Sequence, residues 1–341
     1  MIEVAIVGGG PAGSRCACCL AEEGIHTVIF DHTHPREKPC GGLLTPVALR
    51  LFPFLEKLPI NHIKKTKFHL VSPSGKQTTV SLRKGKFFCF SRLELDKSLV
   101  DMAVDAGAKL TKERVTAIEA KKDIWKIKTT QRLYAAKLVV GADGVNSLVR
   151  RSIVGSLSKE DMGFCCGYLV KGIEKEDITF RFLAHRKGYI WVIPRYDHTS
   201  LGIGSSELPR SHGLRQELDL FFMRQYPHAK VISKWAALAP NIKSCNTLQI
   251  PVAGRNWMLI GDAAGHVNPL LGEGITYALL DGELAAQAVA EHDPYTFNEL
   301  WKKAFEKNLL LGVKLRKWIY TRSGLELYCR FIKFENLLHA E

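Results

Sequence analysis

The chain has 341 residues, of which 46% are hydrophobic and 24% are charged, a composition that indicates a globular protein with a large core. No stretch approaches the roughly 18 to 20 apolar residues that a membrane-spanning helix needs. The first residues lead directly into a strand pattern rather than a signal peptide, and the nine cysteines lack the spacing of zinc ligands. We therefore predict a cytoplasmic chain with reduced thiols and without a metal site.

The formal net charge of +14 is spread along the whole chain. It favours solubility, and it also suits a phosphate-bearing substrate, an anionic membrane surface or an acidic electron-transfer partner. No nucleic-acid partner is predicted, because the charge is diffuse and no known binding motif is present.

The first predicted element is an apolar strand, residues 4–7, followed by the turn Gly8-Gly9-Gly10-Pro11-Ala12-Gly13 and a helix over residues 14–23. In this G-x-G-x-x-G pattern the first glycine permits a tight turn and the second lets backbone approach a pyrophosphate. The third glycine permits close helix packing. A second strand, residues 26–30, ends at Asp31, whose carboxylate suits the hydroxyls of an adenosine ribose. The segment predicts a dinucleotide site.

Two glycines follow a Pro-Cys pair in the loop Lys38-Pro39-Cys40-Gly41-Gly42. The loop is either a surface turn with an incidental thiol or a backbone segment beside a redox cofactor. Further strands are predicted over residues 64–72, 77–82, 110–120 and 125–133. A helix is predicted over residues 93–106, and Arg92 before it either contacts the cofactor or caps the surface.

Another strand, residues 137–140, leads into Gly141-Ala142-Asp143-Gly144, with Arg150 and Arg151 at a following helix start. A carboxylate and two arginines at such a place can orient phosphate and ribose groups. The alternative is a tight turn with a basic helix behind it.

Short alternating strands from residue 163 to about 248 predict an antiparallel sheet, with a helix over residues 214–225. Within it, Tyr189, Trp191 and Ile193 project to one face of a strand. Such a stripe either belongs to the core or forms the wall of an apolar pocket.

A buried strand, residues 257–260, leads into Gly261-Asp262, and Gly272-Glu273-Gly274 opens a helix over residues 275–290. The unpaired N–H groups and the positive dipole end of such a helix suit an anion, for example a reduced flavin. Alone, the segment could equally be an ordinary strand, turn and helix.

The C-terminal segment, residues 295–338, is predicted to be helical and basic, with aromatic side chains between the charges. Either its helices pack on the body with a solvated face, or one face rests on a membrane surface.

Residues 4–31, 137–151 and 257–278 together resemble the FAD-binding domain of the para-hydroxybenzoate-hydroxylase-like flavoproteins. The resemblance implies a Rossmann-like FAD-binding domain in which the glycine turn holds the pyrophosphate and Asp31 the adenosine ribose. Asp262 would bind the ribityl and pyrophosphate region. The implied cofactor residues are Gly8, Gly10, Pro11, Ala12, Gly13, Asp31, His32, Cys40, Gly41, Gly42, Arg92, Val115, Asp143, Gly261, Asp262, Pro269, Gly272, Gly274 and Ile275.

Within that superfamily the chain resembles the geranylgeranyl reductase family. The loop at Cys40 looks like that family's Pro-Cys-Gly-Gly loop, and Tyr189-x-Trp191-x-Ile193-Pro194 looks like its substrate-cavity motif, with Ile193 replacing a usual Phe. The resemblance implies Cys40, Gly41 and Gly42 as catalytic residues and Tyr189, Trp191, Ile193 and Pro194 as the substrate pocket. It also implies hydride transfer from reduced FAD to an isolated C=C bond of a polyprenyl lipid.

The predicted fold is α/β with a mixed or antiparallel substrate sheet and a helical C-terminal tail. A discontinuous FAD-binding domain is predicted over residues 1–60, 87–155 and 250–290, a substrate domain over 61–86 and 156–249, and a helical segment over 291–341. The electron donor would be NAD(P)H, ferredoxin or flavodoxin, and the protein could lie peripherally on the inner face of a membrane. Rival hypotheses are a flavin monooxygenase or halogenase on the same fold, and a flavin-bound lipid-binding or redox-sensing protein without turnover.

Overall fold

The computed structural model describes residues 1–173, 176–208 and 213–331. Its strands are β1 (Ile2–Val7), β2 (Thr27–Phe30), β3 (Leu43–Leu44), β4 (His62–Lys65), β5 (Lys67–Val71), β6 (Gln77–Ser81), β7 (Phe87–Phe90), β8 (Lys109–Thr111), β9 (Val115–Lys121), β10 (Ile124–Thr129), β11 (Leu133–Gly141), β12 (Met162–Lys171), β13 (Ile178–Phe182), β14 (Gly188–Pro194), β15 (Thr199–Ser205), β16 (Lys230–Pro240), β17 (Ala253–Gly254) and β18 (Trp257–Leu259). Its helices are α1 (Pro11–Glu22), α2 (Pro46–Leu51), α3 (Arg92–Asp105), α4 (Leu148–Ile153), α5 (Leu214–Gln225), α6 (Ile275–Ala290), α7 (Phe297–Trp301), α8 (Lys307–Ile319) and α9 (Arg322–Phe331).

The described residues form two units. The first unit comprises Met1–Arg36, Leu95–Asp161 and Pro240–Val313. The second comprises Glu37–Glu94, Met162–Ala239 and the described residues from Lys314 onward. The predicted α/β class is confirmed, since a largely parallel sheet lies in one unit and a largely antiparallel sheet in the other.

The observed units differ from the predicted domain boundaries in three respects. Residues 156–161 and 240–249, predicted as part of the substrate domain, belong to the first unit. Residues 37–60 and 87–94 belong to the second unit, because β3 and β4 both pair with β7 in a small separate sheet. The C-terminal segment is divided instead of standing alone. Trp301 packs against His266 of the first unit, whereas Tyr328 packs against Phe182 of the second.

The main sheet of the first unit has the strand order β17-β18-β11-β1-β2-β8. Strands β1, β2, β8, β11 and β18 run parallel, and Val7 pairs with Gly141, which in turn pairs with Leu259. The carboxyl ends of β1, β11 and β18 are therefore level. Ligands of open parallel sheets bind at this edge.

Helices α1 and α6 pack closely in this unit, and Gly282 explains how. A Cβ atom at Gly282 would lie 2.8 Å from the carbonyl oxygen of Ala12 and 2.9 Å from Arg15 Cβ. Only a residue without a side chain allows this approach.

The main sheet of the second unit has the order β16-β12-β15-β14-β13-β5-β6. Its β12–β15, β15–β14, β14–β13 and β5–β6 pairs are antiparallel, and its β13–β5 pair is parallel. One face carries a hydrophobic core in which Ile190 and Val192 of β14 pack with Leu214 and Leu218 of α5. Because side chains alternate along a strand, the alternate residues of β14 lie on the opposite face.

Two predicted strands each prove to be a pair of strands. Residues 64–72 contain parts of β4 and β5, which break at the exposed Thr66 and join different sheets. Residues 110–120 likewise cover β8 and β9. An alternating pattern does not show where a chain changes its pairing partner. The helices predicted over 214–225 and 275–290 are confirmed.

The C-terminal segment is helical through α9, with a π-helical turn at Lys302–Glu306 between α7 and α8. Trp301, Phe305 and Ile319 are buried, as expected for helices packed on the body, whereas Trp318 is 56% exposed. The rest of the predicted helix, residues 332–338, lies outside the described residues. Within the part of the chain that the structure describes, no helix has the length and apolar character needed to cross a membrane.

Candidate functional site

The glycine turn after β1 is tightly constrained. Gly8 has a φ of +106°, and its amide donates a hydrogen bond to the Phe30 carbonyl at 2.9 Å. A Cβ atom at Gly8 would lie 2.3 Å from the Ala142 carbonyl oxygen, and one at Gly13 would lie 2.0 Å from the Gly8 carbonyl oxygen. These distances account for glycine at both positions. Gly8 permits the tight turn, and Gly13 permits the close approach of helix α1 to that turn.

Gly10 has different surroundings. A Cβ atom at Gly10 would meet no described atom within 4 Å, and the φ of −77° is one that any residue adopts. Neither the backbone conformation nor the described neighbours of Gly10 therefore require a glycine. Gly10 is also the N-cap of α1, and within the described residues no side chain caps this helix. Open space beside uncapped N–H groups at the positive end of a helix is an anion site.

Asp31 anchors the same turn. Its carboxylate accepts hydrogen bonds from the Gly9 amide at 2.9 Å and from the amide and hydroxyl of Thr33, both at 2.8 Å. Burial opposes ionisation of this carboxyl, but the hydrogen bonds outweigh it and hold the pKa of Asp31 below its ordinary value. Asp31 is thus an ionised acceptor that orders the glycine turn. Its contact with a ribose stays a prediction.

Asp143 caps a helix. Its carboxylate accepts hydrogen bonds from the amides of Leu148 at 2.7 Å and Val149 at 3.2 Å, and from the Ser147 hydroxyl. The carboxylate therefore orders the turn and the start of α4, and its contact with a phosphate or ribose group stays a prediction. Burial raises the pKa of Asp143.

The two arginines after Asp143 have different positions. The buried Arg150 donates from Nη1 to the Ala263 carbonyl at 3.1 Å, so that it supports the Gly261 turn, whereas Arg151 is exposed.

The Gly261 turn lies against the glycine turn of β1, although the two are far apart in the sequence. Gly261 has a φ of +60°, and a Cβ atom there would lie 3.0 Å from Ala12 Cβ. A Cβ atom at Gly274 would lie 3.5 Å from Asp262 Oδ1. The first turn of α6 and the Asp262 carboxylate are therefore neighbours.

The segment between Gly261 and α6 is held at several points. His266 Nδ1 lies 2.9 Å from Asp281 Oδ2, and both side chains are buried. Glu273 accepts a hydrogen bond from the Thr276 amide at 3.0 Å, and burial raises the pKa of this carboxyl. Pro269 packs closely against Gly312. A Cβ atom at Gly312 would lie 2.8 Å from the Pro269 Cδ atom.

The first unit thus fits FAD on its own geometry: an open position at Gly10, an uncapped helix start, and a second turn against Ala12. Gly272 has a φ of +68° and Ile275 begins α6, and both are among the residues that the resemblance implies for cofactor binding. Of the other predicted cofactor residues, His32 is exposed and Val115 begins β9. Their contact with FAD stays a prediction.

In the second unit the structure brings the Cys40 loop onto strand β14. A Cβ atom at Gly41 would lie 2.8 Å from Ile193 Cδ1 and 3.8 Å from Trp191 Nε1. Two motifs chosen separately from the sequence therefore meet in one place. Arg92 also belongs to this unit and is buried, so the alternative of a surface cap is wrong.

The aromatic stripe of β14, formed by Tyr189, Trp191 and Ile193, packs against a glycine of the neighbouring strand. A Cβ atom at Gly202 of β15 would lie 2.2 Å from the Trp191 ring, whose centroid stacks 5.8 Å from that of Trp235. Tyr189 lies beside Trp191, with ring centroids 6.0 Å apart, and burial raises the pKa of its hydroxyl. These rings lie on the face opposite the α5 core.

Comparison with known proteins shows which family has this site. Residues 1–207, more than half of the chain, match the FAD binding domain family. Over 301 residues, the chain is 31% identical to the geranylgeranyl diphosphate reductase of Rhodobacter capsulatus, covering 83% of this chain and 73% of that protein. The chain belongs to the geranylgeranyl reductase family of FAD-dependent oxidoreductases. The predicted family, cofactor and enzyme class are confirmed.

Other members of the geranylgeranyl reductase family are similar over nearly the whole chain. The digeranylgeranylglycerophospholipid reductase 1 of Methanococcoides burtonii is 26% identical over 355 residues, with coverage of 95% of this chain and 85% of that protein. The solved structure of a geranylgeranyl bacteriochlorophyll reductase-like protein from Thermoplasma acidophilum has a TM-score of 0.87 at 22% identity, covering 97% and 91% of the two chains. A flavin-dependent brominase shares the fold, with a TM-score of 0.79 at 19% identity, covering 99% and 93%.

Reasoning from the sequence missed two polar residues of this reductase. Asp281 and Glu37 each support a predicted turn or loop without belonging to a predicted motif. One signal was available: Asp281 is a charged residue in a helix whose other inward positions, such as Ala278 and Ala285, are apolar.

Proposed function

We propose that this reductase saturates isolated carbon–carbon double bonds in the polyprenyl chain of a lipid. The observation that carries the proposal is the packing of the Cys40 loop on Trp191 and Ile193. An apolar chain requires an apolar wall, and the β14 stripe supplies one beside a loop whose thiol and backbone N–H groups are polar. The names of the relatives from Rhodobacter and Methanococcoides support geranylgeranyl groups as the substrate class.

The proposed roles of the residues follow from their surroundings. When bound and reduced, FAD supplies a hydride for one alkene carbon, and a proton must reach the other carbon. An isolated alkene is a poor hydride acceptor, so its alignment decides the rate. Tyr189, Trp191 and Ile193 would hold the prenyl chain. Pro194 does not share their face, because the alternation of β14 places it on the side of Ile190 and Val192. Cys40, Gly41 and Gly42 would place the double bond and a proton-donating water.

The N-terminus of α6 is the proposed electrostatic element. Gly274 is its N-cap, and the positive end of the helix dipole would stabilise negative charge on the reduced cofactor.

The electron donor is proposed from charge. A net charge of +14 suits a small acidic protein such as ferredoxin or flavodoxin, and NAD(P)H is the other candidate. Anaerobic reduction of the bound FAD by each donor, followed by absorbance, distinguishes them. Strong dependence of the rate on ionic strength is expected for the protein donor.

A single half-reaction tests the substrate class. The purified protein is reduced with dithionite under anaerobic conditions and mixed with a geranylgeranyl lipid, while the flavin spectrum and the product mass are recorded. We expect flavin reoxidation together with a gain of two mass units per double bond, one hydride and one proton. Flavin that stays reduced until oxygen enters would contradict the proposal.

A flavin monooxygenase or halogenase is the second candidate, and two observations favour it. The segment Gly188-Tyr189-x-Trp191-x-Ile193-Pro194 resembles the halogenase motif Gly-Trp-x-Trp-x-Ile-Pro, and a brominase shares the fold. Oxygen-dependent formation of a hydroxylated or halogenated product would support this candidate.

We further propose that the protein rests on an anionic membrane surface through α8 and α9. Trp318 is 56% exposed and Phe331 66% exposed, and Leu315 and Leu327 are exposed on the same helices. The neighbouring cations Lys314, Lys317, Arg322 and Arg330 are exposed as well. Exposed aromatic and cationic side chains on consecutive helices suit the interface of an anionic bilayer.

Sedimentation with vesicles tests the membrane contact. Wild-type protein should sediment with phosphatidylglycerol vesicles and stay in the supernatant with phosphatidylcholine vesicles. Trp318→Ser should weaken sedimentation, whereas Leu220→Ser, which removes a similarly exposed apolar side chain from α5, should not. Equal sedimentation of the two variants would contradict the proposed contact.

A further inference from the structure

One buried arginine joins the Cys40 loop to strand β14. The side chain of Arg195, only 1% exposed, donates from Nη2 to the Cys40 carbonyl at 2.9 Å and from Nη1 to Glu37 Oε1 at 2.7 Å. The guanidinium thus binds Glu37, just before the Cys40 loop, and Cys40 itself, which carries the thiol. A lysine cannot replace it, because one ammonium lacks the planar pair of donors that reaches both partners.

A second donor reaches the same carbonyl from another strand. The hydroxyl of Ser200 on β15 donates to the Cys40 carbonyl at 3.1 Å, and the Trp191 indole N–H donates to the Ser200 oxygen at 3.3 Å. A chain of hydrogen bonds therefore runs from the aromatic stripe to the loop. Ser200 is fully buried, so its hydrogen bonds are not shared with bulk water.

The loop passes close to the Arg195 guanidinium at Gly42. This residue has a φ of +77°, and a Cβ atom there would lie 2.3 Å from the Phe90 carbonyl oxygen and 2.7 Å from Arg195 Nε. Its amide donates to Cys40 Sγ at 3.4 Å. The orientation of the thiol is therefore coupled to the same backbone that Arg195 and Ser200 hold.

Glu37 is itself fixed. It accepts hydrogen bonds from the Ser91 hydroxyl and from the Leu93 amide at 3.1 Å, next to the start of α3. The Arg195 guanidinium is thus fixed at its far end as well as at the loop.

We propose that Arg195, Ser200 and Glu37 are positioning residues that hold the Cys40 carbonyl, and with it the thiol and the Gly41-Gly42 backbone, in the conformation needed for double-bond reduction. They act through the loop and do not touch the reacting atoms. This inference rests on the proposed function, since the reaction that the loop serves is the reduction proposed above.

Two variants with matched controls test the inference. Arg195→Lys replaces the paired guanidinium donors with a single ammonium, and Ser200→Ala removes the hydroxyl donor to the Cys40 carbonyl. The controls are Arg215→Lys and Ser206→Ala, which remove donors to main-chain carbonyls elsewhere in the same unit, at 2.8 Å from Trp235 and 3.1 Å from Lys187. All four are compared with the wild type for FAD content, thermal unfolding, turnover with a geranylgeranyl lipid and the rate of Cys40 alkylation by iodoacetamide, followed by peptide mass spectrometry.

In the two loop variants we expect normal FAD content, a roughly ten- to hundredfold fall in kcat and a KM changed by less than about threefold. Alkylation of Cys40 should become faster, because the loop opens. The controls should keep the wild-type kcat and alkylation rate. A purely structural role predicts the same moderate loss in all four variants and would overturn the inference, as would wild-type turnover in Arg195→Lys and Ser200→Ala.

The alkylation measurement separates this inference from the proposed function. If the wild type does not reduce the lipid, the proposed function fails, and with it the role in turnover. If the rate of Cys40 alkylation is unchanged in both loop variants, Arg195 and Ser200 do not fix the conformation of the Cys40 loop, whether or not the lipid is a substrate.

Discussion

The Gly261 amide donates a hydrogen bond of 2.7 Å to Asp281, whose side chain is completely buried. Asp281 lies in the middle of α6, and Gly261 begins the turn that rests on Ala12 of α1. One carboxylate therefore fixes the distance between a helix and a turn of the cofactor site. The orientation of this turn depends on a residue outside every recognised motif.

We expect Asp281→Ala to lower FAD affinity at least about tenfold, because the Gly261 amide loses its buried partner at a cost of roughly 1–3 kcal/mol. Asp281→Asn, which keeps the volume and an acceptor, should lose less. Fluorescence titration of the apoprotein with FAD measures both. Glu291→Ala, at the exposed end of α6, is the control. Equal affinities in all three variants would remove Asp281 from the cofactor site.

Substitutions at Gly10 and Gly13 should fail for different reasons. Gly13→Ala places a methyl group 2.0 Å from the Gly8 carbonyl oxygen and should lower the free energy of unfolding by about 1–3 kcal/mol. Gly10→Ala meets no described atom within 4 Å, so the apoprotein should keep its stability. The methyl group nevertheless fills the predicted pyrophosphate position, and FAD should no longer bind. Chemical denaturation and FAD content together check both, and normal FAD content in Gly10→Ala would contradict this placement.

Two glycines of β15 lie against the Trp191 ring and offer a matched pair of substitutions. Gly202→Ala places a methyl group 2.2 Å from the indole, whereas Gly204→Ala places one at an ordinary contact distance of 3.5 Å. We expect Gly202→Ala to displace Trp191 and raise the KM for a prenyl lipid severalfold with normal FAD content, and Gly204→Ala to behave like the wild type. If the two variants have the same KM, Trp191 does not line the substrate pocket.

Cys40→Ala should retain FAD and lose most of the double-bond reduction, since Cys40 belongs to the proposed catalytic loop. Stopped-flow mixing of the dithionite-reduced variant with a geranylgeranyl lipid measures the rate of flavin reoxidation. Cys245→Ala is the control, because Cys245 is a free, half-buried thiol of the first unit. Unchanged reoxidation in Cys40→Ala would exclude the thiol from the mechanism.

The ion pair of Glu37 and Arg195 predicts a pH dependence. Burial opposes ionisation of Glu37, but the Arg195 guanidinium and the hydrogen bonds to Glu37 outweigh it and hold the pKa of this carboxyl below its usual 4.5. A lowered pKa contributes stability that is complete above the unfolded-state value and is lost as the pH falls through the folded-state value. The difference in unfolding free energy between wild type and Glu37→Gln should therefore be constant above about pH 5 and shrink at lower pH. A difference that stays constant from neutral pH to about pH 3 would contradict this assignment.

The cofactor and the family were readable in the sequence because their signals are local. A strand, the turn from Gly8 to Gly13 and a helix follow one another without interruption, and the contact that requires Gly13 is with the Gly8 carbonyl of the same turn. The helix over residues 275–290 was predicted at its observed bounds, since apolar periodicity and a glycine before Ile275 are both properties of a short segment. Asp143 shows the limit of such reasoning, because a helix cap and a phosphate-binding carboxylate have the same local pattern.

The amino-acid sequence by itself determined the fold class, the dinucleotide turn and the two motifs at Cys40 and Tyr189. Only the tertiary structure decided that the Cys40 loop lies on Trp191 and Ile193, and that Arg195 and Ser200 hold it there. The physical reason is that a buried polar group needs a partner, and that partner can come from any part of the chain. Hydrophobic periodicity shows which face of a strand is buried, but it does not show which distant carbonyl will meet a buried arginine.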